Sequence, residues 1–86
     1  MRTAIVTGAS RGLGRAFAIG LAKDGFALSL CARDKAALEE TAALARAAGS
    51  PEIVIVAADL SRAGAAEKVV SETLATTGRI DALINN

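Results

Sequence analysis

Two hydrophobic periods take turns along the chain. Ala4-Ile5-Val6 is a short uncharged run that stops at Thr7-Gly8, the signature of a buried strand. Leu13, Phe17, Gly20 and Leu21 then recur at helical spacing between Leu13 and Lys23, with Gly25 placed to end the helix. Phe26 to Ala32 predicts a second strand with no charge in it. Asp34 N-caps a helix running to about Ala48, with Leu38, Thr41, Ala45 and Ala48 on one face, and Gly49-Ser50-Pro51 closes it. Ile53 to Ala57 predicts a third strand. Ser61 caps a third helix with the stripe Ala66, Val69, Val70, Thr73 and Leu74, halted by Gly78, and Ile80 to Ile84 predicts a fourth strand.

The order is therefore βαβαβαβ. Strands apolar on both faces and joined by helices imply an α/β fold with a parallel sheet covered on both sides. Right-handed crossovers in a doubly wound sheet place the strands in the order 3-2-1-4. The sheet reads as incomplete, because Ile80, Ala82 and Ile84 would form a long apolar edge with no neighbour.

Composition narrows the chemistry. The 86 residues are 52% hydrophobic and 22% charged, a soluble globular balance, and ten basic against nine acidic side chains leave a formal charge of +1. That near-neutrality argues against nucleic-acid and membrane-surface partners. A lone cysteine, Cys31, excludes an internal disulfide, and the lack of histidine excludes a Cys/His metal cluster. Met1-Arg2-Thr3 leads straight into the first strand, which leaves no room for a signal peptide and points to the cytoplasm. With no His, Tyr or Trp, the chain must bind with backbone and a few Ser, Arg, Asp and Asn side chains.

The first strand-to-helix turn is where binding concentrates. Thr7-Gly8-Ala9-Ser10-Arg11-Gly12-Leu13-Gly14 spaces its glycines G-x-x-x-G-x-G. Gly8 permits a sharp turn, Gly12 removes the Cβ from the path of a pyrophosphate, and Gly14 lets the helix close on the strand. Backbone N–H groups at Gly12 and Leu13 then face phosphate oxygens at the positive end of the helix dipole. No Gly-Lys-Ser/Thr follows, so this is not a P-loop.

This turn resembles the T-G-x-x-x-G-x-G segment of the short-chain dehydrogenase/reductase family, whose fold is Rossmann-type. Two further segments carry the resemblance: Asp59-Leu60 after the third strand, and Gly78-Arg79-Ile80-Asp81-Ala82-Leu83-Ile84-Asn85-Asn86, similar to the family's approach to N-N-A-G. The resemblance implies that residues 1–86 are the N-terminal part of a single NAD(P)-binding domain, cut after the fourth strand. It implies that Gly8, Ser10, Arg11, Gly12, Leu13 and Gly14 surround the cofactor phosphates and adenosine ribose, that Asp59 and the Leu60 backbone meet the adenine, and that Asn85 and Asn86 lie toward the nicotinamide ribose. Asp59 also fits a helix cap, and Asn85-Asn86 also fits an ordinary turn. The family's catalytic Ser and Tyr-x-x-x-Lys lie downstream of N-N-A-G, so no catalytic residue falls within this chain, which contains no Tyr.

The end of the second strand bears on the choice of cofactor. An acid there binds the ribose 2′-hydroxyl of NAD, whereas an arginine accommodates the 2′-phosphate of NADP. Spacing alone nominates Asp34 as that acid, but Asp34 also fits the cap of the next helix. The terminal strand residue is Ala32, with Arg33 after it and Arg11 in the glycine turn. Two guanidinium groups facing one phosphate favour NADP over NAD. The implied activity is hydride transfer between NADP(H) and a small-molecule carbonyl or alcohol, by a full-length homo-oligomer. A non-catalytic nucleotide-binding sensor module is the alternative.

Overall fold

The computed structural model describes residues 1–86. Thr3–Thr7, uncharged throughout, forms strand β1, and all five of its residues are buried. Helix α1 (Gly12–Lys23), strand β2 (Ala27–Ala32), helix α2 (Lys35–Ala48), strand β3 (Ile53–Ala57), helix α3 (Ala65–Thr77) and strand β4 (Ala82–Ile84) follow. The four strands are parallel in the order β3-β2-β1-β4, as the alternation of periods predicts. The architecture is a Rossmann-type doubly wound sheet, incomplete beyond β4.

Side chains of successive strand residues leave the sheet on opposite faces, and the core divides accordingly. Ala4, Val6, Leu28 and Leu30 pack on one side with Ala18 and Ala22 of α1 and Leu38, Ala42 and Ala45 of α2. Ile5, Cys31 and Val56 pack on the other with Val69 of α3. On that second face the buried hydroxyls of Ser29 and Thr73 share a hydrogen bond of 2.7 Å, which removes the cost of burying either alone.

Several local expectations need correction. Ser61 does not cap α3: the helix starts at Ala65 behind Gly64, which occupies the N-cap position at φ 82° and makes no side-chain cap bond. The residues that meet the sheet from α3 are Ala65, Val69 and Thr73, while Val70 and Leu74 are exposed. On α1 the buried positions are Gly14, Ala18 and Ala22, with Leu13 and Phe17 exposed. On α1 only Gly and Ala face the strands, which lets that helix pack closely, whereas α3 meets the sheet through Ala65, Val69 and Thr73. Phe26 precedes β2 rather than opening it, half-buried beneath the Arg2 guanidinium, whose carbon lies 4.3 Å from the ring centroid. Strand β4 has three residues, not five; Ala82 and Ile84 are half-buried against the core, and its exposed apolar side chain is Leu83.

The short β4 is anchored by charge at its entrance. Asp81 accepts from the Thr3 N–H (2.9 Å), from Arg79 Nε (2.8 Å) and from one terminal nitrogen of Arg79 (2.6 Å), and its own N–H donates to the Thr3 carbonyl (2.8 Å). The Arg79 hydrogen bonds, then that from Thr3, pull the Asp81 carboxyl from 3.8 down to about 2. A carboxyl depressed by folding stabilises the folded chain fully above about 3.8 and loses that contribution as pH falls through about 2. An NMR titration is expected to place the Asp81 inflection near 2, and Asp81→Asn to flatten stability across that interval. An inflection at the ordinary carboxyl value would show that the anchor is not made in solution.

Candidate functional site

Parallel strands deliver all four carboxyl ends to one edge of the sheet, and a cavity of about 550 Å³ opens there. Its walls come from every strand end: Thr7, Gly8, Ser10 and Arg11 after β1; Cys31, Ala32, Arg33 and Asp34 after β2; Ala58, Asp59 and Leu60 after β3; Asn85 and Asn86 after β4. Of the residues expected from sequence, Gly8, Ser10, Arg11, Arg33, Asp59, Leu60, Asn85 and Asn86 are thus brought together. Gly12 and Leu13 carry the chain from that wall into α1, outside the cavity itself, and Gly14 is buried.

The glycine turn shows why it contains glycines. Gly8 and Gly12 take φ of 61° and 59°, the left-handed region that side chains avoid. A Cβ on Gly12 would meet nothing within 4 Å, so that backbone is open to a ligand. A Cβ on Gly14 would fall on the carbonyl of Gly8, so Gly14 sets how closely α1 lies on the turn. None of the hydrogen bonds outside the regular elements uses the N–H of Ser10, Arg11, Gly12 or Leu13. These four donors suit a group rich in acceptor oxygens.

Charge around the cavity is divided. Arg11 and Arg33 are exposed and take part in none of the three ion pairs. Asp34 caps α2, accepting from the Ala37 N–H at 3.1 Å. Asp59 accepts from the Ser61 hydroxyl (2.6 Å) and N–H (3.0 Å) through one oxygen, leaving the other 3.9 Å from Arg62. The Ser61 hydroxyl, then its N–H, and more weakly the Arg33 charge hold the Asp59 carboxyl below its ordinary value. Asp59 therefore closes a local turn instead of capping α3. Burial pushes the Cys31 thiol up, so this wall residue is a neutral thiol.

The wall after β4 is tied to the end of β1. The Asn86 N–H donates to the Thr7 hydroxyl (3.0 Å), which has the Ile84 carbonyl (3.3 Å) and Asn85 Oδ1 (3.2 Å) as alternative acceptors. Asn86 Nδ2 lies 3.4 Å from the Gly8 carbonyl. Thr7, Arg15 and Thr41 hold the turn without belonging to any expected site. Thr41 carried one signal, a hydroxyl on the otherwise apolar inward face of α2.

Residues 2–86 match the family described as short chain dehydrogenase. The chain belongs to that family. Among curated short-chain dehydrogenase relatives, 11-beta-hydroxysteroid dehydrogenase A of Sesamum indicum is 45% identical over 85 residues, covering 99% of this chain and 24% of that protein. Among solved structures, a metagenomic short-chain oxidoreductase in complex with NADP superposes with a TM-score of 0.90 at 41% identity, over 99% of this chain and 38% of the other. A short chain dehydrogenase from Mycobacterium paratuberculosis bound to NAD gives 0.89 at 32% identity, over 99% and 36%. The chain spans about a quarter of the length of the curated relative and under two fifths of these solved chains. Short-chain dehydrogenases are oxidoreductases that use a nicotinamide cofactor, and members near this chain include both an NADP and an NAD complex. No helix is long and apolar enough to cross a membrane.

Proposed function

We propose that residues 1–86 are the N-terminal, cofactor-binding part of one NADP-dependent oxidoreductase domain of the cytoplasm. The observation that carries this reading is the meeting of the glycine turn with Arg11 and Arg33 on one cavity. The open Cβ position of Gly12 and four unpartnered N–H groups suit a pyrophosphate. The guanidinium groups of Arg11 and Arg33 suit a 2′-phosphate through charge-assisted, bidentate contacts. Asp59 and the Leu60 backbone bound the adenine end, and Asn85-Asn86 the nicotinamide end. When bound, NADP(H) supplies the hydride exchanged with a carbonyl or alcohol carbon. This chain's own residues bind and orient; none of them is assigned a proton transfer, since His and Tyr are absent.

Titrations of the intact protein with NADPH and NADH, followed by nicotinamide fluorescence, test the reading. NADPH is expected to bind at least tenfold more tightly, a preference of about 1.4 kcal/mol. Residues 1–86 alone are expected to turn over no ketone or alcohol above a matched blank. Failure to bind either dinucleotide would overturn the nicotinamide reading. Turnover by the 86-residue chain would overturn the assignment of chemistry to residues outside it.

A further inference from the structure

Arg15 is a cation in the first turn of α1, where the helix dipole disfavours positive charge. It does not point at the cavity and is not among its walls. Its guanidinium instead reaches across to α2, donating from Nε to the Thr41 hydroxyl (2.9 Å) and from one terminal nitrogen to the Ser10 carbonyl (2.7 Å). The same nitrogen lies 3.3 Å from the Ala37 carbonyl and 3.4 Å from Glu40. The Thr41 hydroxyl, fully buried, passes its own proton on to the Ala9 carbonyl at 2.8 Å.

The result is a turn with two chemically different sides. Each carbonyl from Gly8 to Arg11 has a partner within the protein: Asn86, Thr41, Arg15 and the Arg15 N–H in turn. The N–H groups of Ser10 through Leu13 have none outside the regular elements. A peptide plane is rigid, so drawing a carbonyl inward turns the following N–H outward. We infer that Arg15 and Thr41 are positioning residues that hold the Ala9 and Ser10 carbonyls away from the ligand, and so aim the donors of the turn at a pyrophosphate. This rests on the dinucleotide reading above, and it adds determinants of affinity that touch neither the cavity nor the cofactor. Without the clasp the Ala9 and Ser10 peptides are free to turn their oxygens toward the phosphates, replacing attraction by repulsion.

The test is made on the intact protein with Arg15→Ala, Thr41→Val and Thr41→Ser, and with Glu40→Gln as an exposed control. Binding is measured with the tighter of NADPH and NADH, and by competition with the matching half that lacks pyrophosphate, adenosine 2′-monophosphate or adenosine. Arg15→Ala and Thr41→Val are expected to lose at least tenfold in dinucleotide affinity while competitor affinity stays within twofold. Thr41→Ser, which restores the hydroxyl, and Glu40→Gln are expected to stay within threefold of the parent. A folded Thr41→Val protein with unchanged dinucleotide affinity would overturn the inference. An equal loss for both ligands would reduce the clasp to a scaffold and overturn it as well. In both cases the parent protein still binds dinucleotide, so the functional reading survives; a parent that binds neither dinucleotide sinks both.

Discussion

Gly14→Ala is expected to destabilise the chain by about 3 kcal/mol or more, at or beyond the upper end of ordinary overpacking. The added Cβ would fall on the Gly8 carbonyl and stand 3.1 Å from the Ala9 Cα, and both are backbone atoms that cannot rotate aside. Relief requires α1 to lift from the turn, which also disturbs Ala18 and Ala22 in the core below. Gly20 in the same helix is the internal control, since nothing lies within 4 Å of its Cβ position. There alanine is expected to stabilise by about 0.5–1 kcal/mol, through helix propensity and a less flexible unfolded chain. Denaturant unfolding of the two variants in the same background should therefore shift in opposite directions. Equal shifts would show that close approach is not why glycine occupies position 14.

The second large effect is a change of cofactor. Arg33→Ala removes one of two cations from the cavity, and Ala32→Asp adds a ribose acceptor together with a charge that repels a 2′-phosphate. Each change is expected to move the NADP-to-NAD affinity ratio about tenfold toward NAD, near 1.4 kcal/mol apiece, and the pair about a hundredfold. Ala32 is half-buried at the end of β2, so its replacement has a stability cost and the comparison belongs on the ratio of affinities. An unchanged ratio in Arg33→Ala would return cofactor selection to Asp34. That residue's carboxylate is already engaged with the Ala37 N–H.

What was legible in the sequence was whatever depends on near neighbours. Uncharged runs gave the strands, and the crossover rule gave the order β3-β2-β1-β4. Asp34 was readable as a cap because its acceptor and the Ala37 donor are three residues apart. The start of α3 was not readable, because Asp59 and Ser61 are as good at closing a turn on each other as at capping a helix. Leu13, Phe17, Val70 and Leu74 fit an inward stripe by hydrophobicity, yet face outward: α1 meets the sheet through Gly14, Ala18 and Ala22, and α3 through Ala65, Val69 and Thr73. The glycine turn was legible for the same local reason as the Asp34 cap, with Gly8 and Gly12 at the positive φ that their residue type allows. Arg15 and Thr41 were not, since their partnership joins two helices 26 positions apart and depends on an inter-helix contact that no period records.

The placement of β1 has a consequence for the order of folding. Its first neighbour, β2, arrives one helix later, but its second, β4, is reached only when Thr3 meets Asp81, 78 positions along the chain. Closing so long a loop costs little more free energy than closing a short one, about 0.6 kcal/mol per doubling, yet such non-local pairings slow folding. The β1-α1-β2 unit, with the glycine turn inside it, can form while the other half of the central strand is still unpaired. Docking of β4 then adds Asn85 and Asn86 as the last wall. A ligand that touches both the turn and that wall would bridge segments 78 positions apart in the chain, and so stabilise the β1-β4 pairing by mass action.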